Sequence, residues 1–128
     1  MSEGRIRGIR GATTVGANAP DTILASTREL LLAMQQANGF AIDDVVSAIF
    51  TATVDLNAAF PAAAARDIGW ERIPLLDAQE VDVPGALGRC VRILLHVYTA
   101  VPAAEIRHIY LGGAECLRPD LRGDLLRQ

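Results

Sequence analysis

The chain has 128 residues, 51% of them hydrophobic and 21% charged, with a net charge of −3. That length predicts one domain over residues 1–128, with 115–128 as a C-terminal tail, and the acidic balance argues against a nucleic-acid partner. All 12 basic residues are arginine; codon usage in a GC-rich genome accounts for that bias, and the missing lysine excludes Schiff-base chemistry and a P-loop.

Residues 5–13 alternate in the manner of a first strand, and GANAP (16–20) follows as a turn, with Asp21 placed to cap the next helix. From Thr22 to Asn38 the apolar positions Ile23, Leu24, Leu30, Leu31 and Met34 form one stripe of an amphipathic helix, and Gly39 suits its C′ position. Ile42, Asp43 and Asp44 make a capped turn into a β-rich run, VVSAIFTAT (45–53). Pro61 opens a short helix through AAAARD that Gly69 ends. RIPLLDA (72–78) reads as a third strand, VPGALG (83–88) as a loop, CVRILLHVYT (90–99) as a long fourth strand, and RHIYLGGAE (107–115) as a fifth. The expected fold is α/β (α+β): a five-stranded mixed sheet with one long and one short helix.

One long helix covers one face of such a sheet. The other face and the apolar composition both point to a homo-oligomer. No membrane partner is expected, because the longest apolar stretch (45–65) is broken by Ser47, Thr51, Thr53, Asp55, Asn57 and Pro61. MSEGRIRGIRG lacks the apolar core of a secretory signal, and Cys90 and Cys116 form no CxxC pair. A cytoplasmic location with reduced thiols is the expectation.

Strand alternation puts Cys90, Arg92, Leu94 and His96 on one face of the fourth strand. Arg92 is thus a guanidinium set among apolar residues, and it needs a carboxylate; Glu80 in DAQEVD is a candidate. The pattern fits a structural ion pair and an anion receptor equally well. Arg10 sits in a similar setting in RGIRGATTV (7–15), and an arginine fork matches a carboxylate bidentately. His108 shares a face with Tyr110, but neither it nor His96 has a catalytic partner in sequence, and Ser26 and Ser47 lack a nucleophile motif. No spacing suggests a metal. Anion receptors abound while nucleophiles and metal ligands are missing, so the site either binds an anion or catalyses a reaction that needs only shape and fixed charge.

Five separated signatures, IRGIRGATTV, TATVDLNAAFPAAAARD, GWERIPLLDAQEVDVPGALGRCVR, VPAAEIRHIYL and LRPDL, resemble the small trimeric chorismate mutases of the AroH class, from about Arg7 to Leu121. The resemblance implies a Claisen rearrangement of chorismate to prephenate for phenylalanine and tyrosine synthesis. It also implies no cofactor, and a homotrimer closing into a pseudo-α/β barrel with sites between subunits. By the same resemblance Arg92 would donate to the ether oxygen, Glu80 would hold Arg92 and accept from the substrate hydroxyl, and Arg10 and Tyr110 would bind carboxylates. The backbone of Leu76, Asp77, Ala78, Gln79 and Glu80 would line the pocket. Phe60 and Arg66 would complete it from the adjacent subunit, and Leu117 and Arg118 would close over it.

Three departures stand out. Asp77 occupies the place of a substrate-touching cysteine in some relatives, Ala63 replaces a lysine at the cleft mouth, and the stretch from Arg66 to Trp70 is one residue short. Two other readings compete: a non-catalytic trimer that binds an aromatic-pathway carboxylate, and a trimeric enamine/imine deaminase.

Overall fold

The computed structural model describes residues 3–117. Five strands, β1 (Arg5–Thr14), β2 (Val45–Ala52), β3 (Leu75–Gln79), β4 (Cys90–Thr99) and β5 (Ile109–Tyr110), form one mixed sheet in the order β3-β2-β4-β1-β5. The central pairs β1–β4 and β2–β4 are antiparallel, while the edge pairs β2–β3 and β1–β5 are parallel. The helices are α1 (Pro20–Asn38) and α2 (Ala62–Asp67). The expected α+β architecture is the observed one.

Both helices pack on the same face, because period-two alternation delivers the apolar residues of the central strands there. Ile9 of β1, Phe50 and Ala52 of β2, and Val91, Ile93, Leu95 and Val97 of β4 are all buried against Ile23, Leu30, Leu31 and Met34 of α1. Trp70 and Phe40 close the core below α2, edge to face at 6.3 Å. Gly11 sets how closely α1 approaches: a Cβ there would lie 2.4 Å from Met34 Sδ. Leu24, expected in the apolar stripe, is only partly buried, and buried Thr27 takes a place in it by donating its hydroxyl to the Ile23 carbonyl.

Several boundaries differ from expectation. Helix α1 starts at Pro20 with Ala19 at the N-cap, so Asp21 is not the cap. Its carboxylate accepts the Thr22 N–H inside the first turn, where a negative charge suits the helix dipole. Gly39, as expected, ends α1 in the left-handed conformation at φ 67. Strand β3 runs Leu75–Gln79 rather than 72–78, because Ile73 N–H is bonded to the Trp70 carbonyl in a turn and Pro74 offers only its carbonyl, to Ala48.

The fifth strand shrinks from the expected 107–115 to Ile109–Tyr110. Asn38 at the end of α1 binds both backbone groups of Arg107, at 2.8 Å each. Beyond Leu111, whose N–H still reaches the Ala12 carbonyl, the chain turns at Gly112 into a 3-10 segment, Gly112–Leu117. Among the described residues no helix is long and apolar enough to cross a membrane.

Candidate active site

Among the described residues the second face of the sheet carries no α-helix; only the 3-10 segment Gly112–Leu117 packs on it, over Ala12 and Cys90. Arg10, Thr51, Leu94 and Arg92 point there from β1, β2 and β4, as the register requires: Ala12 and Thr51 both lie opposite Arg92, and Arg10 and Ile49 opposite Leu94. Glu80, one residue past β3, and Tyr110 of β5 reach the same place. These residues line a cleft of about 430 Å³ with Ile49 and Leu94 as its apolar floor. Each of the five strands, or the residue following it, contributes one polar side chain.

Arg92 Nε lies 3.3 Å from Glu80 Oε2, and the Thr51 hydroxyl donates to the same oxygen. The Arg92 side chain is 46% exposed, so the pair adds little to stability after solvent screening. What the contact does is fix direction. With Nε turned to Glu80, the terminal N–H groups of the guanidinium remain for an acceptor in the cleft. Arg10 is held through its backbone, whose N–H donates to His108 Nδ1 at 3.0 Å. His96 pairs with Ser47 at 3.1 Å on the same sheet face, away from the cleft lining. Both histidines have structural partners.

Arg10, Glu80, Arg92 and Tyr110, expected from the sequence to share a site, line this one cleft, and Thr51, Ile49 and Leu94 join them without having been singled out in the sequence. Alternation within VVSAIFTAT, once β2 is set beside β4, would have found Thr51. Within one chain the other described residues of the expected set do not line this cleft. Phe60, Asp77, Ala78 and Gln79 line a second groove of about 420 Å³ with Pro61 and Asn57. Phe60 is 70% exposed and Leu76 60% exposed. Arg66 sits exposed in the last turn of α2. Leu117 packs near Ala12, Cys90 and Ala114. Arg118 falls outside the described residues.

Asp77 pairs with Phe50 in the β2–β3 ladder and so belongs to the helix-covered side. Its Oδ1 accepts the Ala62 N–H at 3.0 Å, at the start of α2. Burial pushes its carboxyl above the ordinary value, with the Ala62 bond and the nearby Arg66 charge opposing. The carboxylate therefore does not enter the Arg92 cleft of its own chain.

Cys90 is fully buried in a small cluster with Ala12 and Ala114, and desolvation raises its thiol to about 11. It is a neutral packing group at physiological pH, not a nucleophile. Among the described residues no cluster of histidine, cysteine, aspartate or glutamate has the makings of a metal site. The cleft offers fixed cationic donors, a phenol and a carboxylate on an apolar floor: a receptor for a compact anion carrying a hydroxyl.

The family model for type I chorismate mutases matches residues 6–121. A chorismate mutase of Thermus thermophilus is 52% identical over 117 residues, covering 91% of this chain and 96% of that protein. One of Bacillus subtilis (strain 168) is 46% identical over 117 residues, covering 91% and 92%. Among solved structures, a chorismate mutase from Clostridium thermocellum superposes with a TM-score of 0.85 at 49% identity, over 86% of this chain and 98% of that one.

Proposed function

The chain belongs to the type I chorismate mutase family, and from that premise we propose that its cleft rearranges chorismate by restraint and fixed charge alone. The protein is an isomerase of aromatic amino acid biosynthesis, taking chorismate to prephenate. The observation that carries the mechanism is the Arg92–Glu80 contact at 3.3 Å, which orients a guanidinium before substrate arrives.

Chorismate carries two carboxylates, a ring hydroxyl and an enol ether. In the rearrangement its ether C–O bond breaks while a C–C bond forms across the ring, and negative charge gathers on the ether oxygen. Arg92 donates to that oxygen. Its interaction strengthens as the bond lengthens, and only such a difference between ground and transition state accelerates the step. Arg10 and Tyr110 take carboxylate oxygens and hold the enolpyruvyl arm over the ring, so much of the entropy of reaching the reactive conformer is lost on binding. Glu80 accepts from the ring hydroxyl while it steers Arg92. No proton changes hands and no covalent intermediate forms.

The bare sheet face supports a homotrimer. Ile6, Leu76 and Tyr98 stand exposed on it at 58%, 60% and 52%, too much apolar surface to leave in water. In this reading the groove of one subunit that holds Phe60 and Asp77 meets the Arg92 cleft of its neighbour, and Arg66 and Leu76 complete the wall. Leu117 and Arg118 then close over the mouth. The two free thiols fit a cytoplasmic enzyme.

The test is direct. Purified protein mixed with chorismate should consume the enol-ether absorbance faster than buffer does, with kcat flat across neutral pH; a rate equal to buffer leaves only passive binding. Mixing inactive Arg92→Ala chains with inactive Phe60→Ala/Arg66→Ala chains should restore activity by forming sites with two intact halves. Failure of mixed, exchanged oligomers to regain any turnover rejects the shared site.

A further inference from the structure

The loop from Glu80 to Cys90 leaves and re-enters the sheet at neighbouring points on the end of β2. Glu80 N–H donates to the Ala52 carbonyl at 2.9 Å, and Thr53 N–H donates to the Cys90 carbonyl at 3.0 Å. Arg92 and Glu80 therefore sit on the two sides of a narrow neck, and their distance depends on how that neck is closed. At the Cys90 side the closure involves a strained residue. Arg89 has φ 44, the only positive value at a non-glycine position among the described residues. A side chain in the left-handed region is unfavourable and persists only where the surroundings fix it.

Asp55 supplies the fixing. Its two carboxylate oxygens accept the Arg89 backbone N–H at 3.1 and 2.9 Å. Oδ1 also accepts the Thr53 hydroxyl at 2.5 Å, and that hydroxyl in turn accepts the Cys90 N–H at 3.0 Å. One carboxylate thus satisfies Arg89 directly and orients Thr53 to satisfy Cys90. Gly88 lets the backbone come this close, since a Cβ there would stand 2.9 Å from Asp55 Oδ2. The Arg89 guanidinium and carbonyl complete the tie, to the Gly16 carbonyl at 3.0 Å and the Val15 N–H at 2.8 Å. Hydrogen bonds hold the Asp55 carboxyl in its ionised form, the Thr53 hydroxyl contributing most.

We propose that Asp55 is a positioning residue for catalysis: it holds Arg89 in the left-handed conformation and so sets the start of β4, which carries Arg92 against Glu80. Asp55 lines neither side of the Arg92 cleft and touches no reacting atom. The inference rests on the reading of Arg92 as the donor to the ether oxygen, and it explains how an exposed ion pair keeps one geometry. Its effect belongs on turnover rather than on substrate affinity, because Arg92 acts on charge that appears in the transition state.

The experiment compares kcat and KM for chorismate in the parent, Asp55→Ala, Asp55→Asn, Asp55→Ala/Arg89→Gly and Arg92→Ala proteins, with circular dichroism and Tm for each. Asp55→Ala should lower kcat by about 10–100-fold with KM changed less than about threefold, the size expected from a misplaced donor. Asp55→Asn keeps one acceptor oxygen and should lose about 3–10-fold by the same reasoning. The double variant should recover part of the loss, because glycine adopts φ 44 without the carboxylate.

A kcat within twofold of the parent in a folded Asp55→Ala protein, a loss lying in KM alone, or a double variant no faster than Asp55→Ala overturns the proposal. If Asp55→Ala does not fold, Asp55→Asn decides, and an unchanged kcat there overturns it too. The Arg92→Ala control separates the two levels. Turnover retained in Arg92→Ala defeats the reading of the cleft; turnover lost there but kept in Asp55→Ala defeats only the role of Asp55.

Discussion

The same strands serve two faces that could hardly differ more. On the helix side Ile9, Phe50, Val91, Ile93, Leu95 and Val97 are each 2% exposed or less, and every one of them packs into a single apolar cluster. On the other side Arg10, Thr51, Arg92 and Glu80 stand between exposed Ile6, Leu76 and Tyr98. The covered face stabilises the fold through area removed from water, and it tolerates little change in volume. The bare face contributes less to the stability of one chain and carries the polar cleft to which we assign the chemistry. Adjacent residues of β4, such as Val91 and Arg92, therefore answer to different demands, and a one-residue slip of register would exchange them.

Exchanging effects between the faces is the way to break this division. Arg92→Ala should lower kcat by 10²–10³ or more, about 3–4 kcal/mol of transition-state stabilisation, while Tm stays within a degree or two. A large drop in Tm with proportionate activity in the folded fraction would make Arg92 structural instead. Leu30→Ala on the covered side should do the reverse: urea titration should show a loss of about 2–5 kcal/mol, with kcat at low temperature nearly that of the parent. If kcat collapsed in fully folded Leu30→Ala protein, the two faces would not be independent.

Smaller changes sharpen the same contrast. Gly11→Ala drives a methyl into Met34 and should cost about 1–3 kcal/mol of stability by overpacking, visible as a lowered urea midpoint. Asp77→Asn should be the mildest. Burial raises the Asp77 carboxyl in the folded protein, so the folded state holds that proton more tightly than the unfolded chain does. The ionised form then costs stability, a cost that is absent below the unfolded value and grows as pH rises through the folded one. The asparagine protein should gain in Tm relative to the parent between pH 4 and pH 7. A gain that instead shrinks over that range would mean that the charge on Asp77 helps the fold.

Much of this was legible in the chain. The run CVRILLHVYT is strand β4 to the residue, since its alternation places a guanidinium in an otherwise apolar face. Gly39 and Gly69 stopped their helices where expected, both with positive φ. Glu80 was found as the partner of Arg92 because a guanidinium among apolar residues requires a carboxylate. Other features were not legible, for reasons of geometry. Thr51 acquires a role only when β2 is laid beside β4, and β5 is cut short by Asn38, 69 residues away in sequence from the Arg107 backbone it binds. The sequence left the direction of Asp77 open, and only the β2–β3 register sets it on the helix-covered side, where it binds the Ala62 N–H at the start of α2.

The sequence by itself determined the elements, the apolar face of each, the residue types that gather around an anion and the family they resemble. These follow from local periodicity and from chemistry that a side chain carries wherever it lies. Only the tertiary structure decided which residues share a cleft, which way Asp77 points and why Arg89 can stand in a left-handed conformation. Those depend on pairings between distant segments, whose register and hydrogen bonds no local pattern encodes. The clasp of Asp55 on the Arg89 backbone, 34 residues apart in sequence, is of that second kind.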